Sequence, residues 1–445
     1  MFQFNWSSHK ALLAIAIPMI LSNITVPLLG LVDTAVVGHL SDAYYLGGVA
    51  VGSMIITFIF SLTVFLRMAT TGVTAQAFGR GSAALQFKCL LQGLLIALVL
   101  SLVVIVLQSP IQQLGFMLAG GTEQVQMYGK LYFSIRIYSA PAAMINLVLL
   151  GWMLGMQSAR GPVWHLIITN SLNIGLDLLF VFGFGWGVEG VAAATVIADY
   201  CGVAVGLYFV VLIARQNGIR FERKDLPTWA QRHELKPFIL INRDIFLRSF
   251  CLAICFAFIT FEGAKLGDNV VAANAILQNL LMLVSFALDG VAYAVEALVG
   301  KAVGQRDRQG LVQSIQQATF WSVIFGLSFT GLFAVAGENI IWLMSDIPEV
   351  VKTALIYLPW IVAMPLVSLW CFLLDGIFIG LTRAADMRNS MFISTFFGFF
   401  MLWWFTQGWG NHSLWLAMSG FMLLRGITLA IRLRGLLRSG ELDLL

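Results

Sequence analysis

Seven acidic residues stand inside long apolar stretches of this chain: Asp33, Asp177 and Asp199 in the first half, Glu262, Asp289, Glu296 and Asp375 in the second. An ionisable side chain inside a membrane span costs about 2.5–3.5 kcal/mol on insertion scales, so each is a candidate for handling ions or charged solutes. Depth separates them. Asp33 falls near the outer end of the first span, and Asp177 in the outer half of the fifth. Asn170, Asn173 and Asp177 follow one another at i, i+3 and i+7, which puts them on one helical face. Tyr132 on the fourth span and Thr195 on the sixth fall at a similar depth. Two carboxylates, two amides, a phenol and a hydroxyl can therefore meet within one half. Such a set suits a proton or a cation: the neutral acid is favoured when water is shut out, and the anion when a cation is bound.

The competing reading is that these groups only fasten helices together, as Asn and Thr do through interhelical hydrogen bonds. It weighs more on Asp199 and Glu262 than on Asp33 and Asp177. Asp289, Glu296 and Asp375 lie toward the inner span ends, where they can be structural or simply solvated. Arg136, one turn from Tyr132, is either the counter-ion of an aspartate or a side chain that reaches outward along its stem. Cys251 and Cys255, one turn apart, read as small packing residues, because a metal site needs more ligands nearby. The five histidines sit at span ends and loops and form no Ser–His or metal-ligand cluster. Gly185, Gly187 and Gly190 spell G-x-G-x-x-G, but they fall between two membrane helices rather than after a strand, so a dinucleotide is excluded. No phosphate-binding Gly-rich loop ending in Lys-Ser or Lys-Thr occurs. That argues against an ATP-driven pump.

The elements that must hold these residues are transmembrane helices. Of 445 residues, 59% are hydrophobic and only 11% charged; a soluble domain carries roughly 25% charged residues. Apolar runs long enough for a hydrocarbon core recur throughout. The sequence predicts an all-α integral membrane protein of twelve helices, at 11–37, 46–77, 86–108, 124–156, 161–183, 188–214, 244–266, 270–302, 311–336, 350–380, 389–408 and 413–435. The first run, too long for a signal peptide's apolar region, reads as the first span. With the N-terminus inside, nineteen lysines and arginines fall in the inner segments and only Lys265 in the outer loops. This places both termini on the cytoplasmic side of the membrane. Residues 215–243 read as a cytoplasmic linker between lobes at 1–214 and 244–445. Trp229 and Phe238 suggest that part of the linker rests on the membrane surface.

Shifted by 225 residues, the sequence meets itself. Ala77 falls on Ala302, Gly79 on Gly304, Tyr132 on Tyr357, and Gly151, Gly155 and Ala159 on Gly376, Gly380 and Ala384. Six spans per half make this a parallel pseudo-two-fold repeat. Carriers of that design place the substrate path between the halves and alternate access by rocking them.

Four stretches carry a family resemblance: PMILSNITVPLLGLVDTAVVG at 18–38, TGVTAQAFGRG at 71–81, GVEGVAAATVIADY at 187–200 and VGKAVGQRD at 299–307. They resemble the multidrug and toxic compound extrusion (MATE) family over essentially the whole chain, and its DNA-damage-inducible protein F (DinF) branch in the first run. The resemblance implies a secondary active, proton-coupled antiporter that exports organic cations and amphipathic drugs, works as a monomer in the bilayer and needs no cofactor, structural metal or nucleic acid. It carries the helix 1 aspartate onto Asp33 and the helix 5 Asn-x-x-x-Asp onto Asn173 and Asp177. The helix 7 glutamate falls on Glu262. Some relatives couple to sodium instead. Pro18 and Pro27 give helix 1 places to bend. A lipid or glycan-lipid flippase of the same superfamily is the first alternative, disfavoured by the mostly acidic interior. A membrane enzyme or scaffold is the second. It would need a catalytic constellation, or no buried charge at all.

Overall fold

The structure is a computed structural model and describes residues 9–23, 36, 43–219 and 231–440. Among these residues every regular element is helical. The chain runs α1 His9–Asn23, α2 Ala43–Ser61, α3 Phe65–Gly79, α4 Ala83–Val106, α5 Gln108–Ala119, α6 Glu123–Arg136, α7 Ala140–Gly155, α8 Arg160–Leu178 and α9 Val188–Gln216. It continues as α10 Arg232–Lys265, α11 Asp268–Gln305, α12 Arg308–Met344, α13 Pro348–Gly380, α14 Ala384–Ile393, α15 Leu402–Thr406 and α16 Asn411–Ser439.

Ten of the described helices, with the α2–α3 and α6–α7 pairs each read as one, are long and apolar enough to cross a membrane. The described part of the first span and the α14–α15 path complete the predicted twelve. The apolar exterior fits a lipid solvent: Val335 and Leu343 are each 87% exposed, where a water-facing helix would carry polar groups. Pro141 stands at the start of α7, directly after a tight turn at Ile137–Ser139, so the fourth span bends where its proline removes a backbone donor.

Three elements depart from the sequence reading. Gln108–Ala119, expected as a loop, is a helix that buries Phe116 and exposes Leu114, Met117 and Leu118. Twelve residues are too few to span, and the run escaped notice because its apolar positions are short and interrupted by glutamines. Helix α10 starts at Arg232, inside the stretch expected to be linker, and Phe238 is buried rather than laid on a membrane surface. Trp229 lies outside the described residues. The eleventh span is not one uniform helix: Ser394–Met401 widens into π-helical turns between α14 and α15.

The described helices form two compact lobes. The first lies within Leu21–Phe238; the second combines Ile239–Leu445 with α1 as far as Ile20. Each is tied internally. Lys88 in α4 pairs with the Glu234 carboxylate, and Gln92 donates to the Glu234 carbonyl at 3.2 Å, fastening the start of α10 to the first lobe. In the second lobe Gly290 admits α1, since a Cβ there would lie 3.1 Å from the Ala16 carbonyl oxygen. Cys251 and Cys255 sit in that lobe's core with Ile259, Phe399 and Trp415, as packing residues.

The repeat is written in the backbone. Gly151 lets α7 approach the Arg67 carbonyl oxygen, 2.5 Å from where a Cβ would sit. Gly376 lets α13 approach the Ala292 carbonyl oxygen, at 2.9 Å. Gly155 meets Thr71 as Gly380 meets Glu296, both at 2.9 Å from the carbonyl oxygen. Every one of these pairs is 225 residues apart. So are the left-handed residues Gln157 (φ 63°) and Thr382 (φ 54°), Gly81 (φ 66°) and Arg306 (φ 57°), and Gly185 (φ 70°) and Gly410 (φ 60°). A helix crossing set by a missing Cβ and a helix end set by positive φ are backbone constraints, and both lobes obey the same ones.

Candidate functional site

The predicted polar face of the fifth span exists. Asn173 and Asp177 in α8 are both buried, Asp177 completely. Thr195 in α9 is buried opposite them. Its hydroxyl donates to the Val191 carbonyl at 3.1 Å and faces the Asn173 amide nitrogen at 3.5 Å. Tyr132 in α6 is buried against Val49, Val181, Val188, Val191 and Ala192, so its ring belongs to the apolar wall around the same helices. Asn170, one turn before Asn173, is only half-buried. Just past Asp177 the helix widens into a π-helical turn at Leu179–Gly183; such turns recur where a helix is shaped for function. Asp33, the partner expected from the first span, lies outside the described residues, as does Pro27.

Asp199, one turn past Thr195 in α9, is held by a cation. Its carboxylate pairs with Arg136 at 3.1 Å, and Arg136 also contacts the Ser139 hydroxyl at the bend of the fourth span. Arg136 is therefore the counter-ion of an aspartate. A second polar link lies nearby: Asn146 donates to the Asp199 carbonyl at 3.0 Å and meets His165 Nε2 at 3.0 Å. His165 is buried within α8 rather than placed at a span end.

Three comparisons bear on what this arrangement is. The MatE family model matches residues 18–179 and again 245–404, once per repeat. The chain belongs to the MatE family. It is 47% identical over 438 residues to the DNA damage-inducible protein F of Escherichia coli (strain K12), covering 98% of this chain and 94% of that one. It is 23% identical to the multidrug resistance protein NorM of Aliivibrio fischeri, covering 96% and 95%. The fold matches the crystal structure of a mutant of the Vibrio cholerae MATE transporter VcmN with a TM-score of 0.87 and 21% identity, over 99% of both chains. The all-α membrane fold of twelve helices in two six-helix lobes is thus the MATE fold.

In the second lobe of this MATE chain the remaining candidates are held differently. Glu262, near the end of α10, is half-buried and pairs with Lys265 one turn on, at 2.5 Å. Asp289 is half-buried and accepts from the Ser285 hydroxyl at 3.4 Å. Glu296 and Asp375 are buried, which removes solvation as their explanation. Asp375 carries two arginines on one oxygen: Arg248 from α10 and Arg425 from α16, the latter at 2.6 Å. Arg425 is nearly inaccessible and lies over the Phe421 ring. The sequence reading gave neither arginine a role. Their one available signal was being cations inside apolar runs with an acid in the same half, the pattern that did single out Arg136.

Proposed function

We propose that this chain is a secondary active exporter of organic cations and amphipathic drugs, driven by proton antiport through alternating access of its two lobes. The observation that carries the reading is the buried Asp177–Asn173–Thr195 face in the first lobe of a MatE-family chain. An acid there is useful only if its charge changes during the cycle, because a permanently buried carboxylate is costly. Protonation removes the buried charge and releases a bound cation; loss of the proton restores an anionic site for the next. Asp33 is proposed as the principal coupling acid, with Asp177 and Asn173 beside it. Tyr132, Asn170 and Thr195 line the site. Asp199 and Glu262, already ion-paired, have lesser roles there.

The relatives' names support multidrug export. The coupling ion is tested by purified protein in proteoliposomes, where drug-stimulated proton movement is expected with or without sodium. Sodium-dependent movement instead would replace the proton in this scheme, and no drug-stimulated ion movement would remove it. Both termini and the 215–243 segment are proposed to face the cytoplasm of a bacterial inner membrane, on the strength of the charge asymmetry. Cysteine placed at 228 should resist an impermeant reagent in intact cells, and cysteine placed at 268 should react. The reverse pattern inverts the topology.

A further inference from the structure

The Gly185-x-Gly187-x-x-Gly190 turn, excluded as a nucleotide motif, builds a cavity of its own. About 490 Å³ opens among Ile135, Gly185, Trp186, Gly187, Glu189 and Ala193, all in the first lobe. That is room for a drug-sized molecule. The turn is held by its backbone. Phe184 N–H donates to the Leu179 carbonyl at 3.0 Å, Gly185 reverses the chain at φ 70°, and Trp186 N–H donates to the Phe180 carbonyl at 2.9 Å. The Trp186 ring lies 4.9 Å from Phe180 and 5.5 Å from Phe184. Gly190 admits it, since a Cβ there would sit 2.9 Å from the Trp186 Cβ.

So placed, Trp186 keeps 47% of its surface open. Glu189, in the first turn of α9, is exposed on the same cavity. A fixed indole, a carboxylate and the apolar walls of Ile135 and Ala193 complement one ligand chemistry. That ligand is a lipophilic cation, attracted by the ring's electron-rich face and by the acid. Among the described residues no lysine or arginine lines the cavity. We propose that this cavity is a peripheral binding site for lipophilic organic cations, separate from the Asp177 face, with Trp186 as its platform and Glu189 as its counter-charge. The inference rests on the exporter reading, and in the proposed orientation the site lies on the outer face, where an exported cation departs.

Two plainer roles exist. An acid in a first turn suits the helix dipole, and an exposed tryptophan suits a membrane interface. Neither makes ligand affinity depend on these side chains. The test is equilibrium binding of tetraphenylphosphonium to the full-length protein in nanodiscs, in an Asp33→Asn/Asp177→Asn background that silences the interior acids. Trp186→Ala should weaken binding about five-fold, Glu189→Gln about three-fold and the pair about ten-fold or more. Neutral triphenylphosphine oxide should bind no differently to Glu189→Gln. Unchanged tetraphenylphosphonium isotherms in both variants, with or without a drop in thermal stability, overturn the site. Absence of drug-driven proton movement in the unmodified protein, with these losses of binding still seen, would count against the exporter reading and leave the site supported.

Discussion

Where Asn173 faces Thr195 in the first lobe, the second lobe brings Gly398 against Gly420. At the same offset of 225 residues, Asp177 becomes Leu402, and Asp33 becomes Phe258. A Cβ on Gly420 would sit 2.6 Å from the Leu402 side chain and 2.8 Å from the Gly398 carbonyl oxygen, so at this crossing the two helices close on each other backbone to backbone. Phe258 packs edge-on to Phe399, Phe400 and Trp403 at 5.7, 5.1 and 4.8 Å. The charges of the second lobe lie elsewhere. Arg248, Asp375 and Arg425 fall on Asn23, Leu150 and Tyr200 of the first, while Arg136 and Asp199 fall on Ile361 and Leu424 of the second. One backbone plan therefore carries two interiors. In the second lobe a carboxylate is fixed between arginines; in the first, an acid–amide–hydroxyl face occupies the place the other lobe fills with glycine and aromatic packing.

The largest effect should come from making the first lobe resemble the second. Asp33→Asn is expected to insert and fold normally, yet lose drug resistance and drug-induced proton movement. Asp177→Asn should weaken transport less, because Asn173 and Asn170 stay on that face, whereas Asp177→Leu, the second lobe's own residue, should abolish it. Wild-type transport with an unchanged pH profile in Asp33→Asn would show that the acid only ties helices. Equal and complete loss in both asparagine variants would break the ranking of the two aspartates.

Next comes the fixed charge of the second lobe. Asp375→Ala strands two buried guanidinium groups and should cost about 3–5 kcal/mol of stability, whereas replacing all three residues by apolar ones of similar size should be nearly neutral. Thermal unfolding in detergent reads both. If the apolar triple variant unfolds as early as Asp375→Ala, or folds but cannot transport, the cluster is more than a fastening.

A smaller contrast lies at the repeated helix crossing. Gly151→Ala and Gly376→Ala each overpack a backbone contact, at a cost of about 1–3 kcal/mol. Gly151→Ala should be the worse, because its Cβ would lie 2.5 Å from a carbonyl oxygen and that of Gly376→Ala 2.9 Å. A reversed order of unfolding temperatures would mean that α13 yields less than α7. Smallest of all, Glu234→Gln removes a half-buried ion pair with Lys88 near the helix ends, and transport should be unchanged within the precision of a flux assay.

Much of this was legible in the sequence, for reasons that differ from residue to residue. Span number and repeat could be read because the bilayer imposes length and apolarity, and because Gly151 and Gly376 answer to backbone contact rather than to composition. Asn173 and Asp177 could be read because helical spacing alone puts them on one face. The pairing of Asp199 with Arg136, and of Asp375 with Arg248 and Arg425, could not. Each joins residues far apart in sequence, and no local period records which cation turns toward which acid. The helix at Gln108–Ala119 and the π-helical turns at 179–183 and 394–401 were missed because they alter a helix without altering its apolar pattern.

The Arg248–Asp375–Arg425 cluster also sets an order of events during synthesis. Arg248 leaves the ribosome 127 residues before Asp375, and Arg425 follows 50 residues later. For most of the second lobe's translation an arginine must wait at or near the bilayer without its anion, and the pairing is finished only when the last helix arrives. A nascent chain stopped before Arg425 should be an efficient substrate for membrane proteases, and pulse-chase turnover of chains ending at 410 and at 440 should separate sharply. Equal lifetimes would mean that the lobe commits to its fold before its charges are joined.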